Sequence, residues 1–321
     1  MIEAPDALRE AVLREALTGL TATPKTLSPW LFYDERGSQL FEAITALPEY
    51  YLTRTERAIF AKYAPSLPSH LITAVTIAEL GAGTASKTGI LLKEFADFQS
   101  GLLYQPIDIS PTALDEAAAS IPAKVPGVRV EPQVANYITD RYSITRPEHH
   151  RILALYIGSS IGNFSPQEAV GILRNLRDHL EQGDTLLLGV DLAPGEHKSV
   201  NTLIAAYDDD AGVTAAFNKN VLARLNRELD VDFNLDCFAH RARWNAAASR
   251  MEMHLESLTA QTVQLAGERI EFSAGETIHT ENSYKFTEVS ILALLAGSGF
   301  ALDRTLHDED RRFAVVLAQA V

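Results

Sequence analysis

VTIAELGAGTASKTG, residues 75–89, decides the fold. Its first six residues form a short, largely apolar run with β-branched members, the pattern of a strand buried on both faces, and a Gly-Ala-Gly turn then leads into a helical stretch. Glycines at 81 and 83 let the backbone approach a ligand that any Cβ would block, and a helix N-terminus offers unpaired N–H groups to a carboxylate or phosphate. A plain tight turn also uses such a pair, so the neighbouring elements must decide.

Working outward, strands are expected at Leu102–Asp108, 128–133, Arg151–Tyr156 and Thr185–Asp191, with helices around 88–98, 113–120 and 166–180. Each crossover is long enough for the right-handed connection that parallel strands need. Near the C-terminus a helix over 289–296 is followed by strands 301–306 and 313–318, a hairpin that completes the sheet with a reversed strand. The chain is therefore α/β, with a Rossmann-like sheet formed by residues 60–196 and 286–321. The remaining segments, 1–59 and 197–285, read as an α+β accessory domain that binds the substrate. Leu8, Val12, Ala16 and Leu20 make an apolar helical stripe; 201–229 is mostly helical with a polar break at 208–212; and 241–265 alternates in part, as antiparallel strands do.

Consecutive strand ends carry the chemistry. Asp108 closes the second strand, where a carboxylate accepts hydrogen bonds from ribose hydroxyls, and Asn136 and Tyr137 follow the third, a polar group and a ring suited to adenine. Ligands of open α/β sheets sit beyond the carboxyl ends of the strands, so these positions share one crevice with Gly81 and Gly83. A pyrophosphate fingerprint wants a third glycine where Ser86 stands, which with the reversed strand favours S-adenosylmethionine (SAM) over NAD. Lys87 is placed in the first turn of the following helix, a partner for the donor's carboxylate.

Composition narrows the partners. The 321 residues are 46% hydrophobic and 22% charged, typical of a folded protein. A formal charge of −14 opposes the phosphate neutralisation that nucleic-acid binding requires. Cys237 is the one cysteine, so no internal disulfide and no thiolate zinc cluster can form. The histidines are scattered, and no metal is expected. Glu3, Asp6 and Glu10 do not make an export signal, and no stretch reaches the roughly 18 apolar residues of a membrane span. A cytoplasmic monomer with a small-molecule substrate and no membrane partner is expected.

Longer motifs add a resemblance: WLFYDERGSQLFEAITALPEYYLTRTE (30–56), ELGAGTASKT (79–88), YIGSSIGNF (156–164), AYDDDAGVTAAFNKNVLARLNRELD (206–230) and HTENSYKF (279–286). In this order they make the chain resemble the histidine-specific SAM-dependent methyltransferases over nearly its full length. The resemblance implies a class I SAM methyltransferase sheet and Nα-methylation of L-histidine, up to the trimethylated betaine hercynine of ergothioneine biosynthesis. It assigns Gly81, Lys87, Asp108, Asn136 and Tyr137 to SAM, and Tyr33 and Tyr50 to aiming the substrate amine, directly or through water. Tyr50, Gly158, Asn163, Tyr207, Met253, Glu281, Asn282 and Ser283 are assigned to the substrate, with Phe41 near the pocket wall and the substrate expected between domains. Asn163 and Tyr207 would take the carboxylate. Glu281 and Ser283, two apart on an extended segment, would read the imidazole. Asn136 departs from the family, which often has Asp there. Three alternatives stay open: a methyltransferase acting on another small aromatic amino acid or amine, a non-catalytic SAM-binding regulator, and an NAD-dependent dehydrogenase.

Overall fold

The computed structural model describes residues 5–85, 87–99 and 101–321. Contacts divide the chain into two compact units, one of residues 1–51 and 199–284, the other of residues 52–198 and 285–321.

The second unit is built on one sheet. Its strand order is Phe300–His307, Phe313–Ala320, Thr185–Asp191, Arg151–Tyr156, Val75–Leu80, Leu102–Asp108, Val128–Val130. The middle strands are parallel, and Phe313–Ala320 runs antiparallel beside Thr185–Asp191. This is the sheet, with its C-terminal hairpin, that the sequence resemblance implies. Val75–Leu80 and Thr185–Asp191 are buried along their whole length, as parallel strands covered on both faces must be. One face packs Ile152, Ala154, Leu186 and Leu188 against Ile172, Leu173 and Leu176 of helix Pro166–Arg177 and Leu294 and Leu295 of helix Glu288–Gly297. The strand expected at 128–133 is instead two short pieces, Val128–Val130 and Gln133–Val134, both paired with Leu102–Asp108. Pro132 lies in the gap, where a residue without an N–H cannot extend the ladder.

Lys198 and Lys285 flank the long insertion, and both bind the Asp191 carboxylate, at 2.7 and 2.9 Å. All three side chains are buried. Burial opposes ionisation of Asp191, but Lys285 and Lys198 outweigh it and hold the carboxyl below its ordinary range.

The first unit pairs helices with a four-stranded sheet ordered Lys25–Thr26, Thr277–Tyr284, Arg250–Ser257, Phe238–Asn245. Helix Pro5–Thr21 buries Val12, Ala16 and Leu20, whereas Leu8 is 45% exposed, so the apolar stripe starts a turn later than its spacing suggests. The polar break between helices Val200–Ala205 and Val213–Leu229 has a local cause: the Asp209 carboxylate accepts the Val213 and Thr214 N–H groups at 2.9 and 2.7 Å and caps the second helix. No helix among the described residues is long and apolar enough to cross a membrane.

Candidate active site

The adjacent carboxyl ends of Val75–Leu80 and Leu102–Asp108 carry the donor-side candidates, within the second unit. Gly81 and Gly83 take φ of +67° and +52°, left-handed values that glycine reaches without strain. Gly81 N–H donates to the Ile107 carbonyl at 2.9 Å. Gly83 N–H and Ser110 N–H each donate to one oxygen of Asp108, at 2.8 and 2.9 Å. Two main-chain donors thus fix the carboxylate and leave lone pairs for a ribose diol. A Cβ on Gly83 would meet nothing within 4 Å, so the turn opens a cradle, and one on Gly81 would rest 3.5 Å from the Tyr137 ring. Tyr137 packs edge-on to Tyr156 at 5.5 Å, and their hydroxyls lie 3.2 Å apart. Ile109 and Ile138 stand 59% and 43% exposed beside Asp108 and Tyr137. A diol acceptor, an aromatic edge, exposed apolar side chains and an open glycine turn fit the adenosine part of SAM.

Two of the donor-side candidates also bond within the protein. Asn136 Oδ1 accepts Ile138 N–H at 3.0 Å and so caps its own turn, which leaves one lone pair for an adenine amino group. Lys87 precedes helix Gly89–Gln99, and its Nζ donates to Glu56 Oε2 at 2.7 Å. The other Glu56 oxygen accepts Gly158 N–H at 2.8 Å, and Glu56 is fully buried. Sequence reading passed over Glu56, because its partners lie far along the chain. Gly158 and Ser159 turn the chain after Arg151–Tyr156 with φ of +82° and +60°. Asn163 ends the following 3-10 turn.

Glu79, under the glycine turn, is also buried. Both its oxygens contact Thr88 Oγ1, at 2.9 and 2.8 Å, and one accepts from Tyr104 OH at 2.5 Å. Burial dominates and pushes its pKa from 4.5 to about 7. Between those values the folded chain holds the proton more tightly than the unfolded one, so this group's contribution to stability is complete at low pH and lost as pH rises through 7. Relative to the parent, Glu79→Gln is therefore expected to gain on the order of 2–3 kcal/mol between pH 5 and pH 8. Urea unfolding of both proteins at the two pH values measures this, and a pH-independent difference between them refutes it.

The first unit gathers the acceptor-side candidates. Asp34 caps helix Glu35–Thr45 by accepting Gly37 N–H at 2.6 Å, and it also accepts from Asn220 Nδ2 at 2.9 Å. Tyr33 directly precedes this cap. The Tyr33 ring lies 6.1 Å from both Phe41 and Phe217, Phe41 lies 6.4 Å from Tyr50, and Tyr50 lies 6.4 Å from Tyr207. The row ends where the Tyr207 hydroxyl meets Ser283 Oγ at 2.8 Å. Tyr207 and Ser283, expected at opposite ends of the amino acid, are thus hydrogen-bonded to each other.

Strand Thr277–Tyr284 carries a bulge between His279 and Glu281. Beyond it Glu281 pairs with Met253 and Ser283 with Met251, so Glu281, Ser283 and Met253 share one face. Asn282 does not join them. It pairs with Glu252 on the opposite face, because successive side chains alternate. Phe217, Asn218 and His240 went unnoticed in the sequence, although Phe217 and Asn218 lie at helical spacing with Val221 and Leu225.

The histidine-specific, SAM-dependent methyltransferase family matches residues 12–320. The chain belongs to that family. It is similar to the histidine N-alpha-methyltransferase of Mycolicibacterium smegmatis, 42% identical over 98% of this chain and 97% of that protein. The counterpart from Mycobacterium tuberculosis is 39% identical over 98% and 96%. Among solved structures, the mitomycin 7-O-methyltransferase MmcR aligns with a TM-score of 0.51 at 16% identity, covering 99% of this chain and 71% of that one; this bears on the fold alone. The enzyme is thus a SAM-dependent methyltransferase.

Proposed function

We propose that this methyltransferase transfers methyl groups from SAM to the α-amino nitrogen of L-histidine, up to the trimethylated betaine hercynine. The observation that carries the reading is the shared strand face of Glu281 and Ser283, joined through Ser283 to Tyr207 at the end of an aromatic row. A carboxylate accepts one imidazole N–H, and a hydroxyl serves either state of the other nitrogen, a pairing an aliphatic side chain cannot satisfy.

Bound SAM would supply a methyl group activated by its sulfonium: a neutral amine would attack the methyl carbon in line, the carbon–sulfur bond would break, and S-adenosylhomocysteine would leave as the thioether. The phenol oxygens of Tyr33 and Tyr50 accept the amine N–H groups and aim its lone pair, while the released proton passes to solvent. Positioning of this kind is worth roughly 7–11 kcal/mol in favourable cases. As methyl groups accumulate the nitrogen becomes a fixed cation, which tyrosine faces suit. Asn163 and Tyr207 are assigned to the carboxylate and Gly158 to the substrate backbone, while the side chain of Asn282 has no role in this scheme. Gly81, Lys87, Asp108, Asn136 and Tyr137 are assigned to SAM. The chain is taken as a cytoplasmic monomer without nucleic-acid or membrane partners, in keeping with its charge of −14.

Mass spectrometry of an amino-acid panel incubated with enzyme and SAM tests the reading. Histidine is expected to gain up to three methyl groups while tryptophan, tyrosine and phenylalanine stay unmodified. Faster methylation of tryptophan would move the assignment to an indole acceptor, since Glu281 could also accept an indole N–H.

A further inference from the structure

The direction in which Glu281 and Ser283 point is set by one extra residue. Before the bulge His279 pairs with His254, and after it Glu281 pairs with Met253. Regular pairing would have set Glu281 opposite Glu252, on the face that carries His254 and His279. The extra residue is Thr280, and a one-residue slip turns every later side chain to the other face of the sheet. Thr280 is buried, and its single hydroxyl proton is shared between Asn218 Oδ1 at 2.8 Å and the Met253 carbonyl at 3.0 Å.

Asn218 is fully buried on helix Val213–Leu229, and its partners fix its orientation. Nδ2 lies 3.0 Å from the His254 carbonyl, which can only accept. The same Nδ2 donates to His240 Nδ1 at 2.8 Å, so that nitrogen carries no proton. The proton is then on His240 Nε2, which donates to the Tyr207 carbonyl at 2.8 Å. Burial lowers the His240 pKa, in keeping with a neutral ring, with Asp208 as its nearest carboxylate at 3.8 Å.

We propose that Asn218, Thr280 and His240 are positioning residues for acceptor recognition: one buried amide locks the bulge that turns Glu281 and Ser283 inward and, through a neutral imidazole, holds the main chain of Tyr207. The inference rests on the assignment of Glu281, Ser283 and Tyr207 to histidine. None of the three positioning residues needs to touch the substrate. Each removes a way for the recognition face to slip, so their loss weakens histidine discrimination and leaves the donor side unchanged.

Thr280→Val keeps the branched shape and deletes the shared hydroxyl bond. It is expected to raise KM for histidine about 10-fold, to lower the histidine-to-tryptophan ratio of kcat/KM, and to leave the SAM dissociation constant unchanged. Thr280→Ser should restore all three values. Nitrogen-15 NMR of the parent enzyme supplies a readout independent of any variant's folding, and His240 should show the neutral Nε2–H tautomer. An unchanged histidine KM in Thr280→Val, alongside loss of histidine binding in Glu281→Ala, overturns the positioning role alone. Unchanged histidine binding in both variants overturns the recognition face as well. A charged or Nδ1–H imidazole at His240 overturns the network.

Discussion

Glu281→Ala is expected to weaken histidine binding on the order of 100-fold while the SAM dissociation constant stays within about twofold. Glu281 is half-buried on the strand face it shares with Ser283 and Met253. A hydrogen bond to a charged group in such a place contributes about 1.5–3 kcal/mol, and its loss leaves an imidazole N–H desolvated without an acceptor. A pocket built around a specific polar group loses more on removing that group than a greasy pocket loses with a methylene. Calorimetric titration of each ligand into the variant separates the outcomes. Equal weakening of both ligands indicates global damage, and unchanged histidine affinity removes Glu281 from recognition.

Gly189→Ala is expected to destabilise the enzyme by about 3–5 kcal/mol and to abolish SAM binding at concentrations that saturate the parent. The added Cβ would lie 2.1 Å from Glu56 Oε1, 3.2 Å from Gly158 N and 3.3 Å from Ile157 Cα. Moving a side-chain tip is usually cheap, but Glu56 is fully buried and tied to both Lys87 and Gly158. Displacing it breaks a buried ion pair, the kind of change associated with that range of loss, and it frees the loop that carries Gly158. Urea unfolding and SAM titration measure the two effects. Stability within about 1 kcal/mol of the parent would show that the carboxylate relocates without penalty.

The sheet was legible because apolar runs alternate with helical stretches from residue 75 onward, and that pattern is local. The 128–133 strand misled because its residues favour extension while Pro132 withholds one ladder donor. Glu281 and Ser283 were correctly placed on one face by their spacing alone. The same period puts Asn282 on the other face, so the family resemblance, which grouped all three, overrode the geometry for that residue. Glu56 shows the opposite failure: its partner Gly158 is 102 residues away, and nothing near position 56 marks it as a buried carboxylate. Lys87 was noticed for its charge, but the acid that holds it was not. The bulge at Thr280 was invisible for a related reason, since register is a property of two strands and a packed helix together.

The clamp of Asp191 on Lys198 and Lys285 bears on how such enzymes can diversify. The two ends of the 199–284 excursion meet at a single buried anion within the donor unit, like the neck of a drawn purse. The entropy of closing a loop grows only with the logarithm of its length, about 0.6 kcal/mol per doubling. Sequence between the two lysines can therefore lengthen or shrink while the donor sheet keeps its register, so that a new acceptor calls for changes there and in residues 1–51, which carry Tyr33 and Tyr50.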